Sequence, residues 1–285
     1  KDFLIADLLN SDIAKREIAA IYRCDLSLII STFEMELLQN VFKIDSILLY
    51  HLPFLLEVIE TKTQENWSLF EERSHFVTIG NFLHAPNVDA VLQLKKHIWK
   101  GIRKQLPNAE MHVYGVYPTQ QILQLHNKKE GFIIKGFAEN ADEVISNAKV
   151  VLAPIRFGAG IKGKLTEAML NGTPSITTTI GAEGMHANLS WNGFVIDSNN
   201  AFIERAIKLY TDRELWEESQ KKGIEIINLL YNKEKLIPPF LSFIEVLKSN
   251  LEQHRSKNFI GNLLQYQTLR STKYMSKWIE EKNKK

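Results

Sequence analysis

Short runs of β-branched and apolar residues alternate with stretches of helical periodicity between residues 75 and 197. Six runs predict strands: His75–Gly80, Met111–Gly115, Phe132–Lys135, Val150–Pro154, Pro174–Thr178 and Gly193–Asp197. Between the runs, apolar residues recur at helical spacing, as in Asn87–Gln105, for which Asn87 is the predicted N-cap after Pro86. Strands that alternate with helices predict a parallel sheet covered on both faces, which is a doubly wound α/β domain.

A shorter pattern of the same kind precedes this domain, and only helices follow it. The early pattern predicts helices and strands in turn, followed by a polar linker: Ala14–Tyr22, Asp25–Ser31, Phe33–Val41, Ser46–Tyr50 and the linker Thr61–Glu72. After Thr211 the pattern predicts two helices, Glu214–Leu230 and Phe240–Leu251, with Pro238–Pro239 between them. We therefore predict an incomplete α/β domain with its linker over 1–72, a Rossmann-like domain over 73–235 and C-terminal helices over 236–285.

Composition narrows the class of protein. The chain has 285 residues, of which 45% are hydrophobic, and 35 Lys and Arg against 33 Asp and Glu give a net charge of +2. These values exclude a disordered chain and a strongly basic protein, so we expect no nucleic-acid partner. The single cysteine, Cys24, excludes an internal disulfide, fits a reducing compartment and is expected to be a small buried hydrophobic residue. The chain has no apolar run of 18 residues and no leader pattern, so we expect a cytoplasmic protein, here starting partway through a larger one.

A glycine-rich loop carries the candidate chemistry. Gly158, Gly160 and Gly163 follow a predicted strand and lead into a helix, and Lys162 and Lys164 lie among them. Glycines allow the backbone to approach a ligand closely, and a helix start offers free N–H groups with a partial positive charge. This combination predicts a phosphate-binding loop.

Two short signatures compete for the same loop. The three glycines match a dinucleotide fingerprint, with Glu183 twenty residues further on, although the first glycine does not stand at the strand end. A P-loop is nearly matched as well, but Leu165 occupies the position of its Ser or Thr.

A third resemblance covers about 160 residues. Its landmarks occur in a fixed order along the chain: Val77-Thr-Ile-Gly80, Lys135-Gly136-Phe137, Asn147-Ala-Lys-Val-Val-Leu-Ala-Pro154, the glycine loop, Glu167-Ala-Met169, Asn171-Gly-Thr-Pro174 and Gly181-Ala-Glu-Gly184. Together they resemble the donor-binding half of family 4 (group 1) glycosyltransferases, which have the GT-B fold. Residues 1–55 resemble the end of the acceptor-side domain of such enzymes.

The resemblance implies a site for a nucleotide-diphosphate sugar, used as donor substrate without a cofactor. The residues that it implies for binding are Gly80, Asn81, Gly136, Phe137, Gly158, Ala159, Gly160, Ile161 and Glu167. It implies catalytic roles for Lys162 and Lys164, which would neutralise phosphate, and for Glu167, which would bind the ribose hydroxyls. The chain departs from the family at Ala159, where a glutamate is common, and at Asn81, His84 and Asn87, where an Arg and a Lys are usual.

Structural interpretations compete with these roles. Lys162 and Lys164 could be solvated helix-start lysines, Glu167 could serve the first helical turn, and Glu183 could cap a turn. His75 and His84 are more often structural than functional when they occur singly. The sequence has no Cys/His cluster and no Asp-x-Asp pair, so no metal site is expected.

These observations leave three functions open. The first is a retaining, metal-independent glycosyltransferase in surface polysaccharide or glycoconjugate synthesis, with a glycan or lipid-linked acceptor. The second is a non-catalytic sugar-nucleotide-binding or assembly subunit, and the third is an NAD-dependent oxidoreductase. The tail over 250–285 carries eight Lys and Arg against three acidic residues, interleaved with apolar side chains. It predicts either a helix packed on the first domain or peripheral contact at the inner face of the membrane.

Overall fold

The computed structural model describes Leu8 and residues 10–284. Contacts group them into two compact units. The larger unit is Phe54–Lys233, and the smaller one joins the described residues up to Pro53 with those from Glu234 onward. The domain bounds at 72 and 235 stay predictions.

The larger unit is built on a six-stranded sheet, in which every pair of neighbouring strands is parallel. The strands are β3 (Ser74–Ile79), β4 (Met111–Tyr114), β5 (Phe132–Gly136), β6 (Ala148–Ala153), β7 (Ser175–Thr177) and β8 (Gly193–Val195). Their order across the sheet is β5-β4-β3-β6-β7-β8. All six predicted strands are confirmed, and so is the doubly wound parallel architecture.

The central strands are buried on both faces. In β6 the consecutive residues Val150, Val151 and Leu152 are all fully buried, and in β3 Phe76 and Val77 are as well. Consecutive apolar residues are typical of a strand with helices on both sides, because no face of the strand meets water. The core of the unit therefore lies along the middle of the sheet.

Nine described helices belong to this unit: α3 (Thr61–Glu65), α4 (Ala85–Gln93), α5 (Trp99–Gln105), α6 (Gln120–Leu123), α7 (Ala141–Asn147), α8 (Gly163–Leu170), α9 (Thr179–Ala182), α10 (Asn199–Thr211) and α11 (Arg213–Leu230). A π-helical turn, Leu94–Ile98, joins α4 to α5, so the predicted helix 87–105 is continuous but not uniformly α-helical. The segment predicted as the linker, Thr61–Glu72, contains α3.

The predicted N-cap of α4, Asn87, is wrong by three residues. The helix begins at Ala85, with His84 as N-cap, and Asn87 lies inside the first turn. Pro86 fits this turn because the first N–H groups of a helix have no intrahelical acceptor and its fixed φ suits the helix. The side chain of Asn87 is therefore not a cap and is available for another contact.

The smaller unit combines a two-stranded parallel sheet with helices. Its elements are α1 (Asp12–Arg23), β1 (Ser27–Ile29), α2 (Thr32–Glu36) with a π-helical turn (Leu37–Val41), a 3-10 turn (Ser46–Leu48), β2 (Leu49–His51), α12 (Lys233–Ser249), α13 (Leu251–Lys257) and α14 (Phe259–Asn283). Ile44, Leu48 and Leu49 form its small buried core. The predicted strand–helix–strand order is confirmed.

Two expectations for this unit are wrong. The helix expected to begin at Phe240 begins at Lys233 and runs through Pro238 and Pro239. Both prolines lie in its second turn, beyond the first four N–H groups, so α12 lacks the two hydrogen bonds that N–H groups at these positions would have donated. Cys24 is exposed rather than buried, because it directly follows the last turn of α1.

The long C-terminal helix α14 contacts α1 at its beginning. The Asn258 Nδ2 atom donates to the Tyr22 carbonyl oxygen at 2.7 Å, and Gly261 is buried next to that carbonyl. Further along, large side chains are exposed, among them Tyr274, Met275 and Trp278. None of the described helices combines the length and apolar character needed to cross a membrane.

Candidate nucleotide-sugar site

A cavity of about 560 Å³ opens at the carboxyl ends of the central strands. Residues that closely follow four strands form its walls: Gly80 after β3, Gly115–Val116 after β4, Phe137–Ala138 after β5 and Ile155 after β6. The first turns of α4, α7 and α8, residues of the glycine loop and Glu167 complete the lining. Because parallel strands end at one edge of the sheet, segments distant in sequence meet there, and such edges are where doubly wound sheets bind ligands.

The glycine loop lies between β6 and α8 on one side of this cavity. Gly158 and Gly160 have φ values of 127° and 72°, in the left-handed region that favours glycine. The helix α8 begins at Gly163, with Lys162 as N-cap, and no side chain caps its first N–H groups. Gly163 and Lys164 both line the cavity, so the positive end of the helix dipole faces it.

Lys164 is half-buried as a residue, but its ammonium group is deeply buried and has a neutral hydrogen-bond partner. Its Nζ atom donates to Asn87 Oδ1 at 2.7 Å, and the Asn87 Nδ2 atom donates to the Asn81 carbonyl oxygen at 2.8 Å. Burial lowers the pKa of the Lys164 ammonium group to about 8, against the attraction of Glu167 one turn further along α8. A positive charge is therefore placed at the amino end of a helix, where an anion is the favoured occupant.

The helix α4 also contacts the glycine loop in other places. The Arg156 Nε atom donates to Asp89 Oδ2 at 2.8 Å, and a Cβ atom at Gly158 would lie 3.2 Å from Pro86. Within the loop, Lys162 Nζ donates to the Gly158 carbonyl oxygen at 3.4 Å. These contacts fix the position of the loop relative to the first turn of α4.

Glu167 also lines the cavity, three residues after Lys164 on α8. Its side chain is partly buried, and this burial raises the pKa of the carboxyl, with a smaller contribution from Asp142 and an opposing one from Lys164. Asp142 itself accepts a hydrogen bond from Asn171 Nδ2 at 2.8 Å. Two carboxylates thus approach each other between α7 and α8, and one of them faces the cavity.

The structure brings most of the predicted site residues together. Those that line the cavity are Gly80, Phe137, Gly158, Ala159, Ile161, Lys162, Lys164 and Glu167. Asn81, Gly136 and Gly160 are sequence neighbours of lining residues but are not part of the lining. The binding and catalytic roles of all eleven residues stay predictions.

Of the two histidines His75 and His84, only His84 lies at the cavity. His84, interpreted as structural, lines the cavity at the N-cap of α4. His75 lies at the other end of β3, stacks on His112 with 4.0 Å between ring centroids, and has a pKa lowered to about 4, mainly by burial. Glu183 follows α9 and is not in the lining.

Sequence reasoning noted Asn87 only as an N-cap and as a departure from the family. Its position in the lining depends on Gly80, since a Cβ atom there would lie 2.8 Å from the Asn87 amide carbon. The available signal was Pro86, which fits a first helical turn and places Asn87 inside it. Among the described residues, no group of three or more His, Cys, Asp or Glu side chains could hold a metal ion.

Comparison with known families gives one match, which covers just under half of the chain. Residues 73–212 match the family described as glycosyl transferases group 1. These residues include the six strands and the entire cavity lining. No curated protein matches the chain significantly.

Solved structures of three glycosyltransferases share the fold. TarM of S. aureus, in complex with UDP and α-GlcNAc-glycerol, gives a TM-score of 0.68 at 15% identity, over 81% of this chain and 46% of its own. The pneumococcal O-GlcNAc transferase GtfA, in complex with UDP and GlcNAc, gives a TM-score of 0.62 at 17% identity, over 81% of this chain and 47% of its own. WaaG, involved in lipopolysaccharide biosynthesis, gives a TM-score of 0.57 at 17% identity, over 83% of this chain and 68% of its own. The chain therefore spans about half the length of the first two proteins.

We expect Glu167→Gln to stabilise the unliganded protein at neutral pH. A raised pKa means that the folded state favours the protonated carboxyl, so its stabilising contribution is present at acidic pH and is lost as the pH rises through the folded-state pKa. The gain should be less than about 1 kcal/mol, because the group is partly exposed and water screens its charge. Urea unfolding at pH 7 and at pH 3.5 measures it.

Glu143→Gln is the matched control, since Glu143 is an exposed carboxylate of α7. The Glu167→Gln gain should appear at pH 7, nearly vanish at pH 3.5, and be absent from the control. A loss of stability at pH 7 would mean that the carboxylate supports the fold.

Proposed function

We propose that the protein transfers a sugar from a nucleotide-diphosphate sugar to an acceptor, because residues 73–212 match the family described as glycosyl transferases group 1. The observation that carries the proposal is the Lys164 ammonium group, buried at the amino end of α8 inside the cavity. A buried cation next to a helix N-terminus favours an anion of high charge, such as a diphosphate.

The geometry supports separate positions in the cavity for the diphosphate, the ribose and the base of the donor. The diphosphate lies against the amides of residues 158–161 and the start of α8, with Lys162 and Lys164 as its cations. Glu167 accepts hydrogen bonds from the ribose hydroxyls, and the base lies at Phe137, which follows β5 and is two-thirds exposed. A carboxylate suits a ribose because each of its oxygens can accept from one hydroxyl.

Charge stabilisation is the main catalytic contribution of these residues. During transfer the bond between the anomeric carbon and a diphosphate oxygen breaks, and negative charge grows on the departing nucleoside diphosphate. The acceptor hydroxyl forms the new bond to that carbon, and its proton passes to an oxygen of the departing diphosphate. Fixed amides and two lysines close to the diphosphate lower the free energy of this charge without reorganisation. For this reason we propose a metal-independent reaction without a cofactor, and, from the family resemblance, retention of configuration.

The proposed acceptor and pathway rest on the three solved structures that share the fold. TarM was crystallised with α-GlcNAc-glycerol, GtfA is an O-GlcNAc transferase, and WaaG acts in lipopolysaccharide synthesis. We propose a glycan or lipid-linked acceptor and a role in surface polysaccharide or glycoconjugate synthesis, in the cytoplasm.

A second candidate is a sugar-nucleotide-binding or assembly subunit without transferase activity. Ala159 favours it, because this position lines the cavity and its methyl group cannot make the contacts of a glutamate. An NAD-dependent enzyme fits less well, since Gly158 lies five residues beyond the end of β6 at Ala153, whereas the fingerprint needs its first glycine at the strand end.

Lys164→Ala should weaken the binding of UDP by on the order of 1.5–3 kcal/mol, the range for hydrogen bonds to charged groups. Lys162→Ala should act in the same direction, and the affinity for uridine should change much less in both variants. Calorimetric titration of each variant with UDP, uridine and NAD measures these effects.

Lys104→Ala, on an exposed position of α5, is the control and should bind as the wild type does. Equal losses of affinity for UDP and uridine would mean that the lysines support the fold and do not bind the diphosphate. Binding of NAD in preference to UDP would favour the oxidoreductase.

Glu167→Gln should lower the affinity for UDP more than the affinity for 2′-deoxy-UDP, because an amide oxygen accepts more weakly than a carboxylate and one side-chain acceptor is lost. A difference of about 1 kcal/mol between the two ligands is expected. Equal losses would mean that Glu167 does not contact the 2′-hydroxyl.

We also propose that α14 attaches the protein to an anionic membrane. Exposed Tyr274, Met275, Trp278 and Ile279 form an apolar stretch near Lys273, Lys277 and Lys282. Aromatic side chains with a basic flank suit the interface of an anionic bilayer, to which each basic residue adds about 1 kcal/mol.

Replacing Lys273, Lys277, Lys282 and Lys284 by glutamate should abolish flotation of the protein with phosphatidylglycerol vesicles. Wild-type binding should weaken as salt increases. The control has four exposed lysines of the larger unit replaced by glutamate: Lys100, Lys104, Lys128 and Lys129. Equal flotation of both variants, or no flotation of the wild type, would contradict attachment through α14.

A further inference from the structure

The amide of Asn87 is the contact that places the Lys164 ammonium group. The Asn87 Nδ2 atom donates to the Asn81 carbonyl oxygen at 2.8 Å, so the amide oxygen is the atom left to face Lys164, at 2.7 Å from its Nζ. A main-chain carbonyl can only accept, and this fixes which way the amide is turned. Lys164 thus meets an acceptor with one fixed orientation.

Gly80 leaves the space that this amide fills. A Cβ atom at Gly80 would lie 2.8 Å from both Asn87 Cγ and Nδ2, too close for any real contact. The end of β3, the first turn of α4 and the first turn of α8 are therefore linked by Gly80, Asn87 and Lys164, although Asn87 and Lys164 are 77 residues apart.

A neutral partner has a chemical consequence. A carboxylate in the place of Asn87 would neutralise the ammonium group and repel a diphosphate, whereas an amide oxygen orients the group and adds no negative charge. The other titratable groups near it are His84 and Lys162 in the lining, Glu167 on the same helix, and Asp142, which faces Glu167 from α7.

We propose that Asn87 is a positioning residue, which directs the Lys164 ammonium group into the cavity as the cation that meets the diphosphate. The inference rests on the proposed function for its ligand, but the contact itself belongs to the unliganded protein. It adds to the site a residue that does not act on the substrate directly.

The pH dependence of UDP affinity provides a readout that a purely structural role would not change. Since the Lys164 pKa is about 8 in the unliganded protein, UDP should bind well below that pH and progressively less well as the pH rises above it. In Asn87→Ala the charged form loses a hydrogen bond, so the midpoint of this decline should move to lower pH and the affinity at pH 7.5 should fall about tenfold. In Asn87→Asp the affinity should also fall, but the midpoint should move to higher pH, because a carboxylate favours the ammonium form.

The experiment measures UDP and uridine affinity between pH 6 and about 8.8, below the ionisation of the uracil ring, together with the Lys164 pKa in the unliganded protein by NMR of its side-chain nitrogen. Asn108→Ala, an exposed asparagine of the same unit, is the matched control. Asn87→Ala should have little further effect in a Lys164→Ala background, because the two residues act through one contact. Uridine affinity should be nearly unchanged throughout.

Two failures are distinguishable. A wild-type protein that binds no UDP would contradict the proposed function, while the NMR measurement would still test Asn87. An unliganded Lys164 pKa that is the same in wild type, Asn87→Ala and Asn87→Asp would overturn the positioning role, whatever the protein binds. Full additivity of Asn87→Ala and Lys164→Ala in UDP affinity would also overturn it.

Discussion

The site depends on one electrostatic arrangement, a lysine ammonium group buried at the positive end of a helix. Burial lowers the pKa of Lys164. The positive end of a helix dipole is also an unfavourable place for a cation. A group that costs stability in the unliganded protein is typical of a binding site, because the ligand supplies the missing counter-charge. Glu167, on the same helix, is a second group whose charged form is disfavoured by partial burial, which raises its pKa.

The parallel sheet makes this arrangement possible. Its strands bring the ends of β3, β4, β5 and β6 to one edge, and the loops there can be irregular because the buried strands below them carry the stability. Glycines at 158 and 160 allow the loop after β6 to take left-handed backbone conformations, and α4 holds it through Arg156 and Asp89. A rigid edge with preformed donors is what stabilisation of a diphosphate leaving group requires.

Much of the fold could be predicted from the sequence, since it depends on local patterns. Six strands of consecutive apolar residues, separated by helical stretches, indicated the parallel sheet, and the glycine loop indicated the phosphate site. The start of α4 was misplaced because Asn after Pro fits a cap as well as a first turn. Pro238 and Pro239 suggested a break, yet α12 continues through both of them without their two hydrogen bonds. Cys24 was misjudged because exposure at the end of α1 depends on packing, which composition does not reveal.

The contact between Asn87 and Lys164 could not be predicted, because it joins residues on two helices that only the sheet brings together. The same holds for the space at Gly80 that the Asn87 amide fills. Sequence patterns identify residue types suited to a ligand, but which neutral group orients a buried charge is decided by tertiary packing.

The most direct test of the central claim is a crystal structure of the protein with UDP. We predict that the diphosphate lies against the amides of residues 158–161 and the first turn of α8, with Lys164 Nζ within hydrogen-bond distance of a phosphate oxygen. UDP bound elsewhere, with this loop unoccupied, would contradict the account.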